Sequence, residues 1–301
     1  MPAAGEKGES NMHSFLRAIG FSELRKESEI EKLLDEVYRD FESKDVARLE
    51  DGAYIEMEKE FAADMGIKLC GVLDRDGFHR QFYFPYYKGN GVTTSEEVII
   101  EKKVNGDSYA GVCEDGRVGV SLIFYLQNAA AYCRERILGT IFGRKTTTTF
   151  SGLSNGGIIL LPGQKRTEIA ENGIQNQVKR NQLMNAAKNG DPEAIESLTI
   201  EDMDLYSMVS RRIEHEDVYS IVDTFFMPYG IECDQYQIMG NILYYTKVRN
   251  KDTNEEIYQI NIECNDLKFD ICINKNDLMG EPEVGRRFKG MIWLQGKVNF
   301  E

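Results

Sequence analysis

Histidine is scarce in this chain: three residues in 301, none close to another in sequence. HExxH and HxH are absent, so no zinc site is written locally into the sequence. The six cysteines contain no CxxC pair, which removes zinc ribbons and thioredoxin-like redox pairs. Neither GxxxxGK[ST] nor GxGxxG occurs, so the usual phosphate-cradling loops are missing. No run approaches the ~18 apolar residues that cross a bilayer as a helix. Positive charge is also in deficit, with 36 Lys+Arg against 50 Asp+Glu and a net charge of −14. That balance argues against broad nucleic-acid binding, which needs cations facing phosphates. From these absences no catalytic residue, metal ligand or cofactor is assigned, and the reading leans away from an enzyme without deciding the point.

Apolar residues make up 42% of the chain, enough for real cores. Residues 1–11 are polar and lack the apolar core of a secretory signal, so they read as a disordered extension or a cloning remnant ahead of Met12. The sequence shows no signal and no anchor, so the expected location is bacterial cytoplasm. The cysteines then read as reduced thiols, mostly small core residues. The excess of acids is densest over 166–218, as solvated helix faces.

Ser28-Glu29-Ile30-Glu31 has the form of a capping box. After it Ile30, Leu33, Leu34, Val37, Tyr38 and Phe41 recur at helical spacing, predicting a helix over 28–43. From 53 to 125 the pattern is alternating, with strands expected at 53–61, 66–73, 78–87, 96–104, 108–113 and 118–125. Gly77, Gly106 and Gly116 lie in the turns between them. A short helix is expected over Ala129–Ile137 behind Asn128, then a strand pair at 146–151 and 157–161, with the glycine-rich 151–157 as loop or turn. Residues 167–217 turn helical and polar, with Asp191-Pro192-Glu193 as one helix start and Thr199 as another. Strands are expected at 219–227, 234–249, 255–264, 267–274 and 286–300, with Gly240, Gly290 and Gly296 marking bends or bulges.

The fold class this predicts is α+β. An N-terminal helix and antiparallel sheet occupy 12–165, a helical connector 166–217, and a small OB-like or SH3-like β-barrel 218–301.

Candidate site residues form two groups. Phe82-Tyr83-Phe84-Pro85-Tyr86-Tyr87 is an aromatic strand whose alternate residues face opposite ways. Its Tyr83, Tyr86 and Tyr87 could stack on a ligand if one face is open, whereas a sheet covered on both faces makes them core. His79, ahead of this run, could act as a base oriented by Asp74 or Asp76, or simply lie on a strand after a turn. The second group is Arg286, Arg287, Lys289 and Trp293, which bring the densest positive charge of the last 80 or so residues beside the sole tryptophan. Basic and aromatic residues on one barrel strand can bind single-stranded nucleic acid. Three bases in an acidic setting make that unfavoured, and the leading reading is Trp293 as a core anchor with the Arg pair at a strand entry, ahead of a protein-partner surface. His215, between Glu214 and Glu216, reads as a helix end.

Met12-His13-Ser14-Phe15-Leu16-Arg17-Ala18-Ile19-Gly20-Phe21 resembles the start of an uncharacterised family of clostridial cytosolic proteins, a domain of unknown function. The stretch from Glu281-Pro282-Glu283-Val284-Gly285 to Trp293-Leu294-Gln295-Gly296 looks like that family's C-terminal signature. The resemblance spans about 12–301 and implies a bacterial, intracellular origin. It carries no activity, ligand or catalytic residue.

The function expected is a non-catalytic binding or interaction protein, with another protein as the expected partner, no membrane association, and nucleic acid unfavoured. The rival is an enzyme or small-molecule-binding domain with its pocket beside the 82–87 strand. Single-strand nucleic-acid binding by the last domain comes third.

Overall fold

The computed structural model describes residues 14–49, 52–103, 107–139, 145–162, 183, 186–187, 190–200, 222–231 and 233–300. The fold is α+β and dominated by antiparallel sheet. A 3₁₀ turn, Phe15–Ile19, leads to helix α1 (Glu27–Arg39), which buries Ile30, Leu33, Leu34 and Val37. The cap differs from the expected box. Lys26 is the N-cap, and the Glu29 carboxylate accepts from its backbone N–H at 3.4 Å. The helix also ends sooner than its apolar periodicity suggests, because residues 43–49 leave it to form a strand.

That strand, β1 (Ser43–Leu49), opens a four-stranded antiparallel meander with β2 (Gly52–Ala62), β3 (Met65–Leu73) and β4 (Phe78–Tyr87), in the order β1-β2-β3-β4. β1 is a polar edge strand whose pairing is set by the β2 backbone rather than by an apolar pattern of its own. The meander is covered on both sides, by α1 on one and by helix α2 (Ala129–Ile137) on the other.

The second sheet has ten strands. Its first part is β5 (Val98–Lys102), β6 (Tyr109–Glu114) and β7 (Ser121–Leu126). Next in the chain is β8, a single strand over Thr146–Leu160, where the sequence suggests a pair with a glycine-rich turn between. The glycines serve close approach instead. A Cβ on Gly157 would stand 2.4 Å from the Phe288 ring, and one on Gly290 would stand 2.6 Å from the Gly156 carbonyl oxygen. The remaining strands are β9 (Phe225–Pro228), β10 (Gln235–Arg249), β11 (Glu256–Cys264), β12 (Leu267–Asn274), β13 (Leu278–Met279) and β14 (Arg287–Phe300).

Pairings β8–β12, β12–β11, β11–β10, β10–β14 and β14–β8 close a ring of five strands, with β8–β12 parallel and the rest antiparallel. One strand of this ring, β8, comes from residues 146–160, while β9 pairs β10 outside it. β14 holds β8 along one edge, and β10 then β7 along the other, so it ties the ring to β5–β7. The Phe124 ring fills the slot left by two glycines: a Cβ on Gly111 would stand 2.1 Å from it, and one on Gly296 2.4 Å. The register shift at Gly290/Ile292 is the bulge expected near Gly290. One buried cluster runs from the 3₁₀ turn through the meander to β14. Five cysteines are buried, Cys233 is partly so, and all six are free.

A helical stretch over 192–200 begins where Asp191 caps the Glu193 N–H at 3.0 Å, as expected. It runs through Thr199, where the sequence reading starts a second helix. Residues 1–11, His215 and most of 166–217 lie outside the described residues. Among the described residues no helix is long and apolar enough to cross a membrane.

Arg287, 5% exposed, directs Nε to the Leu161 carbonyl at 3.0 Å and Nη1 to the Val222 carbonyl at 2.9 Å. One guanidinium therefore holds the chain on both sides of residues 163–221. Arg287→Ala is expected to cost about 2 kcal/mol, the usual scale for charged hydrogen bonds lost at a part-buried site. Urea midpoints of the two proteins measure it.

Candidate functional site

Alternation along β2 places Tyr54, Glu56, Glu58 and Glu60 on one face, and the β3 register sets Lys68 directly opposite Glu58. β1 adds Ser43 opposite Glu58 and Asp45 opposite Glu56. In an isolated meander this would be the solvent face. Here the N-terminus of α2 closes over part of it.

The result is a buried ion triad. Lys68 is 5% exposed and Glu56 2%. The Lys68 ammonium donates to Glu56 Oε2 at 3.2 Å, Glu58 Oε1 at 2.7 Å and the Gln127 carbonyl at 2.6 Å. All three of its N–H bonds are thus used. Glu56 Oε1 accepts the Ala130 N–H at 3.1 Å, in the first turn of α2, where helix amides suit an anion. Glu58 Oε2 faces Lys88 Nζ at 3.0 Å and accepts from Ser43 Oγ at 3.2 Å. Lys88 also reaches Glu60 Oε1 at 2.9 Å, and its ammonium stands 5.2 Å above the Tyr86 ring.

Burial pushes the Glu56 carboxyl up, against the pull of Lys68. Burial acts the same way on Glu58, but Lys68 and Lys88 overcome it and hold that carboxyl down to about 2. Lys68 is disfavoured as a cation by burial, yet the two glutamates more than reverse this and raise it. Tyr86 is pushed up by burial and then by Glu58 and Glu60. Its hydroxyl is buried and has no hydrogen-bond partner among the described residues.

A cavity of about 510 Å³ opens over this network, between β1–β4, the start of α2 and Lys297 of β14. Among the described residues no group of His, Cys, Asp and Glu side chains is arranged to hold a metal.

Of the residues singled out from sequence, only Tyr86 lines this cavity. Tyr83 and Tyr87, at 9% and 3% exposure, belong to the core on the other face of β4. His79 is exposed at the opposite end of β4, 3.2 Å from Asp74, whose carboxyl is lowered first by the Asp76 backbone N–H. Trp293 is 3% exposed, with ring centroids 5.2 Å from Phe15 and 5.0 Å from Tyr125. Arg286 pairs with Glu283 at 2.6 Å, Lys289 lies on β14, and Arg287 holds the two carbonyls described above. The basic and aromatic residues of β14 therefore do not share one surface. The sequence also holds a Gly-x-Ser-x-Gly spacing, Gly152 to Gly156. Ser154 is fully buried in mid-strand, donating to the Met291 carbonyl at 2.7 Å, whereas a nucleophile on that motif needs an exposed strand-to-helix turn.

The residues that sequence reading passed over are Glu56, Glu58, Lys68, Lys88 and Lys297. One signal was available: a lysine inside the otherwise apolar run Met65–Leu73, on the strand that follows Glu-x-Glu-x-Glu. A charge there needs either water or a partner.

Searches among curated proteins and among solved structures return no match. The family described as "Domain of unknown function, E. rectale Gene description (DUF3881)" matches residues 16–296, nearly the whole described chain, and the protein belongs to that family.

Proposed function

We propose that this protein binds a small polar molecule in the cavity beside β4, and binds it without transforming it. The observation that carries the reading is the Glu56–Lys68–Glu58 triad at the base of an open cavity. Buried ion pairs are poor stabilisers, because desolvation offsets their attraction, and apolar residues of similar volume often serve a fold better. Buried charges with shifted proton affinities cluster at functional sites. The cavity's size lies in the range of small-molecule sites. Binding is favoured over catalysis because Lys68, Glu56 and Glu58 are each committed to several partners, which leaves none poised to exchange a proton with a ligand. Six free cysteines support a reducing, cytosolic setting.

The test is a thermal-shift screen against a library of polar metabolites. Ala131 lines the cavity from α2, and Ala131→Trp is designed to fill it. At least one compound is expected to raise the melting temperature of the natural protein and not of the variant, by mass action on the folded state. No stabilising compound, or equal shifts in both proteins, would reject the reading.

A further inference from the structure

Most polar groups around the cavity are already committed. Lys68 uses its three N–H bonds on Glu56, Glu58 and Gln127. Glu56 takes Lys68 and the Ala130 amide, and Glu58 takes Lys68, Lys88 and Ser43. Asp45 takes Arg134 and the Val46 N–H.

Donors are what remain. Lys88 spends two of its three N–H bonds, on Glu58 and Glu60, and its side chain is 38% exposed. Lys297, on the β14 wall, is exposed, and its ammonium makes no hydrogen bond or ion pair among the described residues. Exposed Lys44 stands at the β1 rim in the same condition. The Tyr86 hydroxyl is a further unspent group, with its ring beneath Lys88. Against these stands one uncommitted carboxylate, the exposed Asp64 in the turn after β2. The three glutamates of the network, Glu56, Glu58 and Glu60, are partly offset by Lys68 and Lys88, so an incoming anion does not meet their full repulsion. The N-terminus of α2 adds partial positive charge on the same side, although Glu56 already takes one of its amides.

Resting on the small-molecule reading of this cavity, we propose that the ligand carries an oxyanion, a phosphate or a carboxylate, held between Lys88 and Lys297. Ammonium donors and oxyanions form the stronger class of hydrogen bond, and two lysines on different walls would orient the charged end of a ligand whose remainder fills the cavity.

Inorganic phosphate and acetate serve as separate probes, titrated at low ionic strength and read by melting temperature and by calorimetry. At least one is expected to bind and stabilise, with the effect declining as sodium chloride is added. Binding of phosphate alone identifies a phosphate-bearing ligand, and binding of acetate as well admits carboxylates. Lys297→Ala, an exposed substitution that leaves the ion triad untouched, is expected to weaken binding about tenfold. Lys268→Ala, at an exposed lysine of β12 paired with Glu263, is expected to leave it unchanged. No response to either anion, or equal weakening by both substitutions, would overturn the inference. A neutral metabolite whose binding is lost in Ala131→Trp, with no anion response, would sink the oxyanion and leave the cavity reading standing. Silence in both experiments would sink both.

Discussion

Lys68→Ala is expected to destabilise the protein by about 3–5 kcal/mol, the scale for removing one partner of a buried ion pair. The loss comes from what stays behind. Glu56 remains 2% exposed without its cation, and the Gln127 carbonyl loses its donor. The deficit should also depend on pH. In the natural protein Glu58, held down to about 2, contributes stability that is full above the ordinary carboxyl range and is lost as pH falls toward 2. Glu56 has the opposite sign: its carboxyl is pushed up, so its ionised form is penalised as pH rises through its folded-state value. Without Lys68 only the Ala130 N–H is left to oppose that push, and protonating Glu56 relieves part of the strain. The gap between variant and natural protein is therefore expected to be widest near about pH 7 and to narrow toward about pH 5. Urea denaturation at the two values measures this. A loss below about 1 kcal/mol at neutral pH would show that the triad is not the desolvated unit described here. Pairing Lys68→Met with Glu56→Gln removes both charges and is expected to recover much of the loss, since a neutral pair no longer carries the desolvation of two ions.

Trp293→Ala is expected to cost about 3–5 kcal/mol by leaving a large cavity in the core. The indole sits between Phe15 of the 3₁₀ turn and Tyr125 of β7, on the strand that joins the ring to the rest of the sheet. Its removal loosens three elements at once. Because it is the sole tryptophan, the variant is followed by far-ultraviolet circular dichroism, and the natural protein by the shift of indole emission on unfolding. A cost within about 1 kcal/mol would mean that the side chain is not packed as described.

The strands were the most legible part of the sequence. Residues 78–87 and 267–274 form strands with the bounds that alternation and turn residues suggest, and 129–137 forms the expected helix. Local signals failed where a partner overrides them. β1 has a polar sequence and exists because β2 offers it an edge. Glycines 152, 156 and 157 look like a turn, yet they sit in mid-strand: a Cβ on Gly157 would stand 2.4 Å from the Phe288 ring of β14 and one on Gly152 3.1 Å from Ile292, while Gly156 faces open space. Asn128 lies at the N-cap of α2, but its side chain bonds both backbone groups of Val298 instead of capping the helix.

Sequence alone determined the class of fold, the order of most elements and the burial of the cysteines, because each depends on periodicity within a few residues. Tertiary structure decided where the site lies. The Glu56–Glu58–Lys68 face follows the pattern of a solvated strand face. It becomes a buried ion network only when Gln127 and Ala130, 59 and 74 residues away from their partners Lys68 and Glu56, are brought over it. Closure of the five-strand ring likewise rests on β8 meeting β12 and β14 across more than a hundred residues of chain. No local pattern encodes such meetings, because the free energy that selects them comes from burying both partners together.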